Sequence, residues 1–303
     1  MREPIKNRYD FMLVLDCANG NPNGDPDAGN LPRTDPATQK GYITDVCLKR
    51  KVRNYVQAVK DGEPGYNIYV TKGKSLQSND EEAFKAFGMD PQNQEDFKEA
   101  IKKAKKDDKD LDQKLMQFMA DNFYDIRTFG AVMTTFVKNK LNWGQVTGPV
   151  QISFAESVDP VYPRDITISR VAVTKTEDLL QKKTQELGRK SMIPYGLYVA
   201  KGHISAHLAQ KMTGFSEEDL ELFWDALMNM FDFDHSAARG EMAVRDLIIF
   251  KHDDTLGNYP SHKLFDAVQI QKNEGVETPK SYADYSVTVN EDLIPEGVTL
   301  IHK

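Results

Sequence analysis

The feature that most narrows the fold lies between residues 9 and 60. A hydrophobic run, Tyr9-Asp10-Phe11-Met12-Leu13-Val14-Leu15, stops at Asp16. It gives way to Asn19-Gly20-Asn21-Pro22-Asn23-Gly24-Asp25-Pro26-Asp27-Ala28-Gly29-Asn30, with Arg33 just beyond. Thr44-Asp45 then opens a segment carrying Lys49, Arg50, Lys51 and Arg53. The pattern predicts a strand, a long Gly/Asn/Pro loop and a helix with a basic polar side. Such a loop leaves backbone N–H groups unpaired, and a helix start adds more with a favourable dipole. Beside Arg and Lys, these donors suit a phosphate chain better than a small apolar ligand. The local chemistry points to nucleic acid.

The net charge of −7 argues against a protein that coats polyanions indiscriminately. Between Arg33 and Lys60, however, seven basic residues stand against two acidic ones, a local +5. A basic stripe on an acidic body favours a defined groove. At 303 residues the chain can bury a full core, with room for insertions. No apolar stretch reaches the roughly 20 residues that span a bilayer. The start, Met1-Arg2-Glu3-Pro4-Ile5-Lys6, lacks the apolar centre of a signal peptide. Cys17 and Cys47 alone imply no disulfide framework, and their spacing with the histidines forms no zinc pattern. A cytoplasmic, reduced setting with no membrane partner is expected.

Leu48, Val52, Tyr55 and Val59 recur at helical spacing, so 44–60 is expected to bury that face and carry Lys49, Arg50 and Arg53 together away from it. Thr44 or Asp45 is the expected N-cap. Residues 66–70 have strand character. Residues 75–125 are helical in pattern, with Phe84, Phe87, Phe97, Ile101, Leu111, Leu115, Phe118 and Met119 as apolar positions. Their middle, Lys102-Lys103-Ala104-Lys105-Lys106-Asp107-Asp108-Lys109-Asp110, mixes both signs and is expected to be solvated helix surface rather than a binding patch. A strand follows Gly148-Pro149, a hairpin holds Arg164, Ile166, Ile168 and Arg170, and a polar stretch ends at Pro194. Residues 195–205 form a central strand. Ser216-Glu217-Glu218-Asp219 opens a helix with a capping-box-like pattern, burying Leu220, Phe223, Trp224, Leu227, Met228 and Phe231. Residues 242–250 form a strand, and 260–303 add a short helix and strands at 286–289 and 298–301. Without insertions the order is strand, helix, strand, strand, helix, strand, the split β-α-β unit of ferredoxin-like and RNA-recognition folds. The fold class expected is α+β.

Several motifs invite other chemistry. Laid on a calcium loop, Asn19, Asn21, Asn23, Gly24, Asp25 and Asp27 fall at positions one, three, five, six, seven and nine, but position one would want Asp, Asn30 stands where a bidentate Glu belongs and residue 26 is Pro. No metal site is assigned. An ordered surface loop of Asn-Gly, Asn-Pro and Asp-Pro turns is as good a reading of 19–30 as direct RNA contact. His203 and His207 are four apart, but Ile204 replaces the Glu of HExxH. His235 and Ser236 near Asp232 and Asp234 have no nucleophile elbow. Asp25, Asp27 and Asp35 could support metal-dependent RNA cleavage, though nothing in their spacing requires it. The aromatic signature of RNA-recognition motifs is missing, so contacts to the RNA backbone from Arg, Lys and amides would have to dominate.

Six segments in order resemble a known family: Asn19 to Pro26 after the first strand, Thr44 to Arg50 opening the helix, Asp125-Ile126-Arg127-Thr128-Phe129-Gly130-Ala131, Gly148-Pro149-Val150-Gln151, Tyr195-Gly196-Leu197-Tyr198, and Ser236-Ala237-Ala238-Arg239-Gly240-Glu241-Met242. Together they span about residues 9 to 252. The pattern is similar to the "Cas seven" family, the crRNA-binding backbone subunit of type I CRISPR Cascade, and most like the type I-C subtype. The resemblance implies a modified ferredoxin-like or RRM palm over 1–74, 126–154 and 194–259. It implies helical fingers at 75–125, a β-hairpin thumb at 155–193 and a C-terminal extension at 260–303. It further implies head-to-tail copies along one crRNA, other Cascade subunits as partners, a target DNA strand held through the guide, and no catalytic residue or cofactor.

A subunit that must accept any spacer should hold phosphate and shape, leaving base edges free to pair. Lys49, Arg50 and Arg53 are the leading candidates for guide phosphates, followed by Arg33 and the backbone of Asn21, Asn23 and Gly24. Arg170, Arg189, Lys190 and Arg239 are further candidates. For Arg127 and Arg239, salt bridging within the subunit is the favoured expectation. The competing readings are a metal-dependent ribonuclease of the same fold working through loop aspartates, and a stand-alone small-molecule-binding domain.

Overall fold

The opening apolar run becomes Tyr9–Gly20, an interior strand of a large antiparallel sheet. In this computed structural model, residues 2–90, 94–180 and 186–303 are described. The readings that touch Met1, 91–93 of the 75–125 insertion and 181–185 of the 155–193 insertion lie outside the described residues. Across the sheet the strand order is Val298–His302, Glu241–His252, Tyr9–Gly20, Glu186–Ile204, Ala155–Pro160, Lys40–Ile43. Val150–Ile152 and Arg164–Arg170 also pair with the long strand Glu186–Ile204. The first strand is antiparallel to both neighbours, from Tyr9↔Ile204 to Gly20↔Ile193 on one side and from Tyr9↔Lys251 to Ala18↔Glu241 on the other.

Side chains of a strand alternate between faces, so an unbroken apolar run implies burial on both. Phe11, Leu13 and Leu15 point to a core shared with Leu48, Val52 and Val56 of the helix Asp45–Val59 and with Phe223 and Trp224 of the helix Glu217–Asn229. Met12 packs instead with Ile248, Phe250, Leu264, Phe265 and Val268, and Val14 with Leu197 and Tyr285. The second face is thus covered by the C-terminal segment, whose hairpin pairs Val268–Lys272 with Tyr285–Val289. Each of the three large side chains facing the helices contributes about 1.5–3 kcal/mol by leaving water.

The helices Leu76–Ala86, Gln94–Asp107, Leu111–Asn122, Tyr124–Phe129 and Thr134–Lys138 build a helical lobe. Its own core holds Phe84, Phe97, Ile101, Leu115, Met119, Phe123 and Phe136. The lobe is tied to the sheet layer by Arg127, fully buried, whose Nε and Nη2 donate to Asp219 at 2.9 and 2.7 Å while Nη1 and Nη2 reach the carbonyls of Ala120 and Gly65. Asp219 also completes the capping box with Ser216. Among the described residues no helix is long and apolar enough to cross a membrane.

Four expectations need correction. Residues 66–70 are not a strand, because the Asp125 carboxylate accepts the amides of Tyr69 (2.7 Å) and Val70 (3.1 Å) that a ladder would have used. The polar stretch before Pro194 and the central strand are one strand, Glu186–Ile204, which leaves the sheet beyond Ile193 to pair with Arg164–Arg170. Val268–Lys272 is a further strand. The buried face of Asp45–Val59 comprises Leu48, Lys51, Val52, Arg53 and Val56, whereas Val59, at the helix end, is exposed. Arg53 shares a flank of the helix with Arg50 but is buried there, drawn inward by a buried carboxylate.

Candidate nucleic-acid interface

The loop after the first strand is built by close backbone approach. A Cβ on Gly20 would sit 1.7 Å from the Arg239 carbonyl oxygen, and Gly240, at φ +64°, would bring one within 2.3 Å of the Ala18 oxygen. Only glycines permit this contact between the loop and residues 238–240. The Asn21 amide donates to the Ala238 carbonyl at 2.9 Å. Asn23 Oδ1 accepts from both the N–H and the Oγ1 of Thr44 at 3.0 Å, and Thr44 Oγ1 in turn accepts the Cys47 amide at 3.2 Å. Asn23 and Thr44 thus clamp the loop to the helix start, using side-chain acceptors where an anion was expected. Gly24 pairs with Pro32 in a two-residue hairpin, which returns the chain to Arg33.

Two groups of charge flank the helix Asp45–Val59. On one side Arg33, Lys51, Arg239 and Asp234 surround the Cys47 thiol, whose pKa is raised by burial against the opposing pull of those cations. Lys51 forms an ion pair with Asp234, and Asp234 also holds Arg239, whose Nη1 donates to the Asp234 carbonyl at 2.9 Å. Arg33 lies 3.5 Å from Asp25, and its Nε is buried without a partner. Asn21 Oδ1 is likewise buried and unpartnered, while its Nδ2 donates to the Asn30 carbonyl at 2.7 Å. Buried polar atoms without partners are uncommon, and two of them share this loop.

On the other side stand Lys49, Arg50 and Arg53. Lys49 Nζ donates to Asp45 at 3.1 Å and lies over the Phe129 ring, as does the Arg53 guanidinium. Arg53 Nε donates to Asp125 at 2.7 Å. The Arg50 side chain makes no ion pair or hydrogen bond among the described residues; burial, then the Arg53 charge, lowers its pKa against the weaker opposing pull of Asp125. It is a half-buried cation with no direct ion partner.

The hairpin residues stand apart from this cluster. Arg170 pairs with Glu186, whereas Arg189 and Lys190, opposite Thr167 and Ile166, have no ion partner among the described residues. The hairpin emerges beside the loop, since Ile193, three residues after Lys190, pairs with Gly20. The structure therefore gathers Asn21, Asn23, Gly24, Arg33 and Arg239 with the start of the basic helix, and sets Arg50 on that helix's other flank. Arg239, like Arg127, forms the salt bridge favoured from the sequence. Sequence reasoning missed Lys51 and Asp234; the i+3 relation of Lys51 to Leu48 placed it at the buried edge, but nothing local signalled Asp234. Asp25 accepts the Asp27 amide, and Asp35 accepts the amides of Ala37 and Thr38, so both organise turns.

The description "CRISPR-associated protein Cas7" belongs to the family model that matches residues 7–290. A curated Haloferax volcanii protein described in the same words is 27% identical, over 94% of this chain and 81% of its own length. Among solved structures, a chain of a "CRISPR RNA-guided surveillance complex, pre-nicking" superposes with a TM-score of 0.50 at 15% identity, covering 84% of this chain and 83% of that one, a likeness of fold. With the family model spanning nearly the whole sequence, the chain belongs to the CRISPR-associated protein Cas7 family.

Proposed function

We propose that this chain is a noncatalytic backbone subunit that holds a guide RNA by its phosphates, with copies arranged head to tail along the guide and target DNA pairing to the exposed bases. The observation that carries the reading is the unsatisfied polar chemistry at the strand–loop–helix junction: Arg50 without a direct ion partner, with Arg33 Nε and Asn21 Oδ1 buried and unpartnered. Phosphate oxygens would complete both cations. The names of the relatives, an RNA-guided complex among them, agree with it.

The sheet order Glu241–His252, Tyr9–Gly20, Glu186–Ile204, Ala155–Pro160, with a helix following the first and third of the core strands in sequence, supports an RRM-like palm. Its open face is taken by the C-terminal segment, which favours recognition along the helix and loop over base stacking on the sheet. The helical lobe corresponds to fingers and the projecting hairpin to a thumb that separates stretches of guide–target duplex. Copies joined through such non-identical surfaces make a filament that other subunits would end. The test is the double variant Arg33→Ala, Arg50→Ala. It should weaken binding of unrelated single-stranded RNAs alike and flatten the salt dependence by roughly 1.4, two contacts at about 0.7 each. Affinity loss confined to one RNA sequence would contradict backbone recognition, and magnesium-dependent RNA cleavage lost on Asp25→Ala would favour the ribonuclease reading.

A further inference from the structure

Asp234 lies between the helix Glu217–Asn229 and the strand Glu241–His252, and two cations share its carboxylate. Oδ2 accepts Lys51 Nζ from the basic helix, and Oδ1 holds Arg239 Nη1 at 2.5 Å. The two partners differ in exposure. The Lys51 side chain is 4% exposed and committed to this pair, whereas that of Arg239 is 34% exposed. Arg239 Nη1 is further fixed by the Asp234 carbonyl at 2.9 Å, while its Nε and Nη2 make no hydrogen bond among the described residues. The backbone of Arg239 is fixed too: its carbonyl accepts the Cys17 thiol at 3.5 Å and abuts Gly20. One edge of the guanidinium is thus gripped and the other left open, at the junction that also holds Asn21 through Ala238.

Resting on the guide-binding reading, we infer that Asp234 is a positioning residue. It fixes Arg239 so that the open edge of the guanidinium meets a guide phosphate, and Lys51 anchors the carboxylate to the basic helix. A carboxylate beside a polyanion is unfavourable by charge alone. The trio of Lys51, Arg239 and Asp234 keeps a net charge of +1, two cations against one anion, which outweighs that repulsion locally. What the carboxylate adds is geometry. A guanidinium is a planar fork that matches phosphate, and one held in advance gives up less side-chain freedom when the phosphate arrives. Charge and positioning predict opposite signs for Asp234. If it only screened the cations, its removal would tighten binding; because it positions Arg239, its removal weakens binding.

The test compares two variants of the full chain, Lys51→Met with Asp234→Asn and Lys51→Met with Asp234→Ala. Each loses one positive and one negative charge, so its net charge equals that of wild type, and neither leaves the buried Lys51 ammonium without its partner. Asn keeps an acceptor oxygen for Arg239 and Ala keeps none. Single-stranded RNAs of two unrelated sequences are titrated across KCl, with urea midpoints measured on the same samples. The Ala variant should bind both RNAs about tenfold more weakly than the Asn variant, the scale of one charge-assisted contact. It should also lose about 0.7 of the log–log salt slope, one phosphate contact. With Arg239→Ala added to each, the difference should vanish, which a loss of packing alone would not produce. Asp234→Asn by itself, whose single oxygen the buried Lys51 claims, should bind more weakly than wild type despite its added positive charge. Equal binding by the Asn and Ala variants, a difference that persists without Arg239, or tighter binding by Asp234→Asn would overturn the role of Asp234 while leaving the guide reading in place. Failure of wild type to bind either RNA would sink the guide reading and this role with it.

Discussion

Arg50 and Arg53 are three residues apart on one helix, yet their replacement by Ala should have opposite consequences. Asp125 is 1% exposed and receives Arg53 Nε at 2.7 Å, with the Tyr69 and Val70 amides as its other donors. Arg53→Ala leaves that carboxylate buried without its counter-charge. Breaking a buried pair by removing one partner costs about 3–5 kcal/mol. Two amide donors remain, so the lower end, about 3 kcal/mol, is expected, together with loosening of residues 66–70 where they meet the helical lobe. Arg50→Ala removes a cation that is already half-desolvated and unpaired, and should change stability by no more than about 0.5 kcal/mol. Urea unfolding of the two variants under identical conditions measures the difference, and RNA titration of the same samples measures binding. The reasoning is refuted if Arg53→Ala unfolds at the wild-type midpoint, or if Arg50→Ala is the less stable of the two.

Other expectations can be checked with similar means. Gly20→Ala would force a Cβ into the Arg239 carbonyl, so it should both destabilise the chain and weaken RNA binding, whereas Gly29→Ala, with open space around the Cβ but a φ of +63°, should cost only local backbone strain of about 1 kcal/mol. Burial opposes ionisation of Asp10, but hydrogen bonds from His203 and His252 and the Arg8 charge prevail and hold its pKa well below the usual carboxylate range. Its contribution is therefore present above about pH 4 and is lost as the pH falls further; Asp10→Asn should be less stable at neutral pH and show a shallower acid limb in a pH series of urea midpoints. Excising the tip of the hairpin between Arg164 and Lys190 should leave single-stranded RNA affinity near wild type while impairing pairing of target DNA to bound guide. Equal target affinity in a gel-shift assay would count against a thumb role.

Features governed by neighbouring residues were legible in the sequence. Thr44 capping the basic helix and Ser216 with Asp219 forming a capping box follow from local spacing, and both are present. The strand expected from the run ending at Leu15 is present as Tyr9–Gly20. What escaped depended on partners far along the chain. Arg53 belongs to the core because of Asp125, 72 positions away, and Lys51 because of Asp234, 183 positions away. The aromatic and β-branched residues of 66–70 signalled a strand, but a single carboxylate claimed the amides a neighbouring strand would have needed. Pro194 suggested a break in the chain, yet it falls where Glu186–Ile204 passes from the hairpin into the sheet. Val268-Gln269-Ile270-Gln271-Lys272 alternates with period two and could have been identified as a strand from that alone.

The central claim, that this chain holds guide RNA as one of several copies, is tested most directly by purifying the protein with RNA, measuring the solution mass, and sizing the RNA that survives nuclease. Particles of several subunits protecting RNA in regular length increments are expected. A monomer free of RNA that ignores added RNA of any length would contradict it.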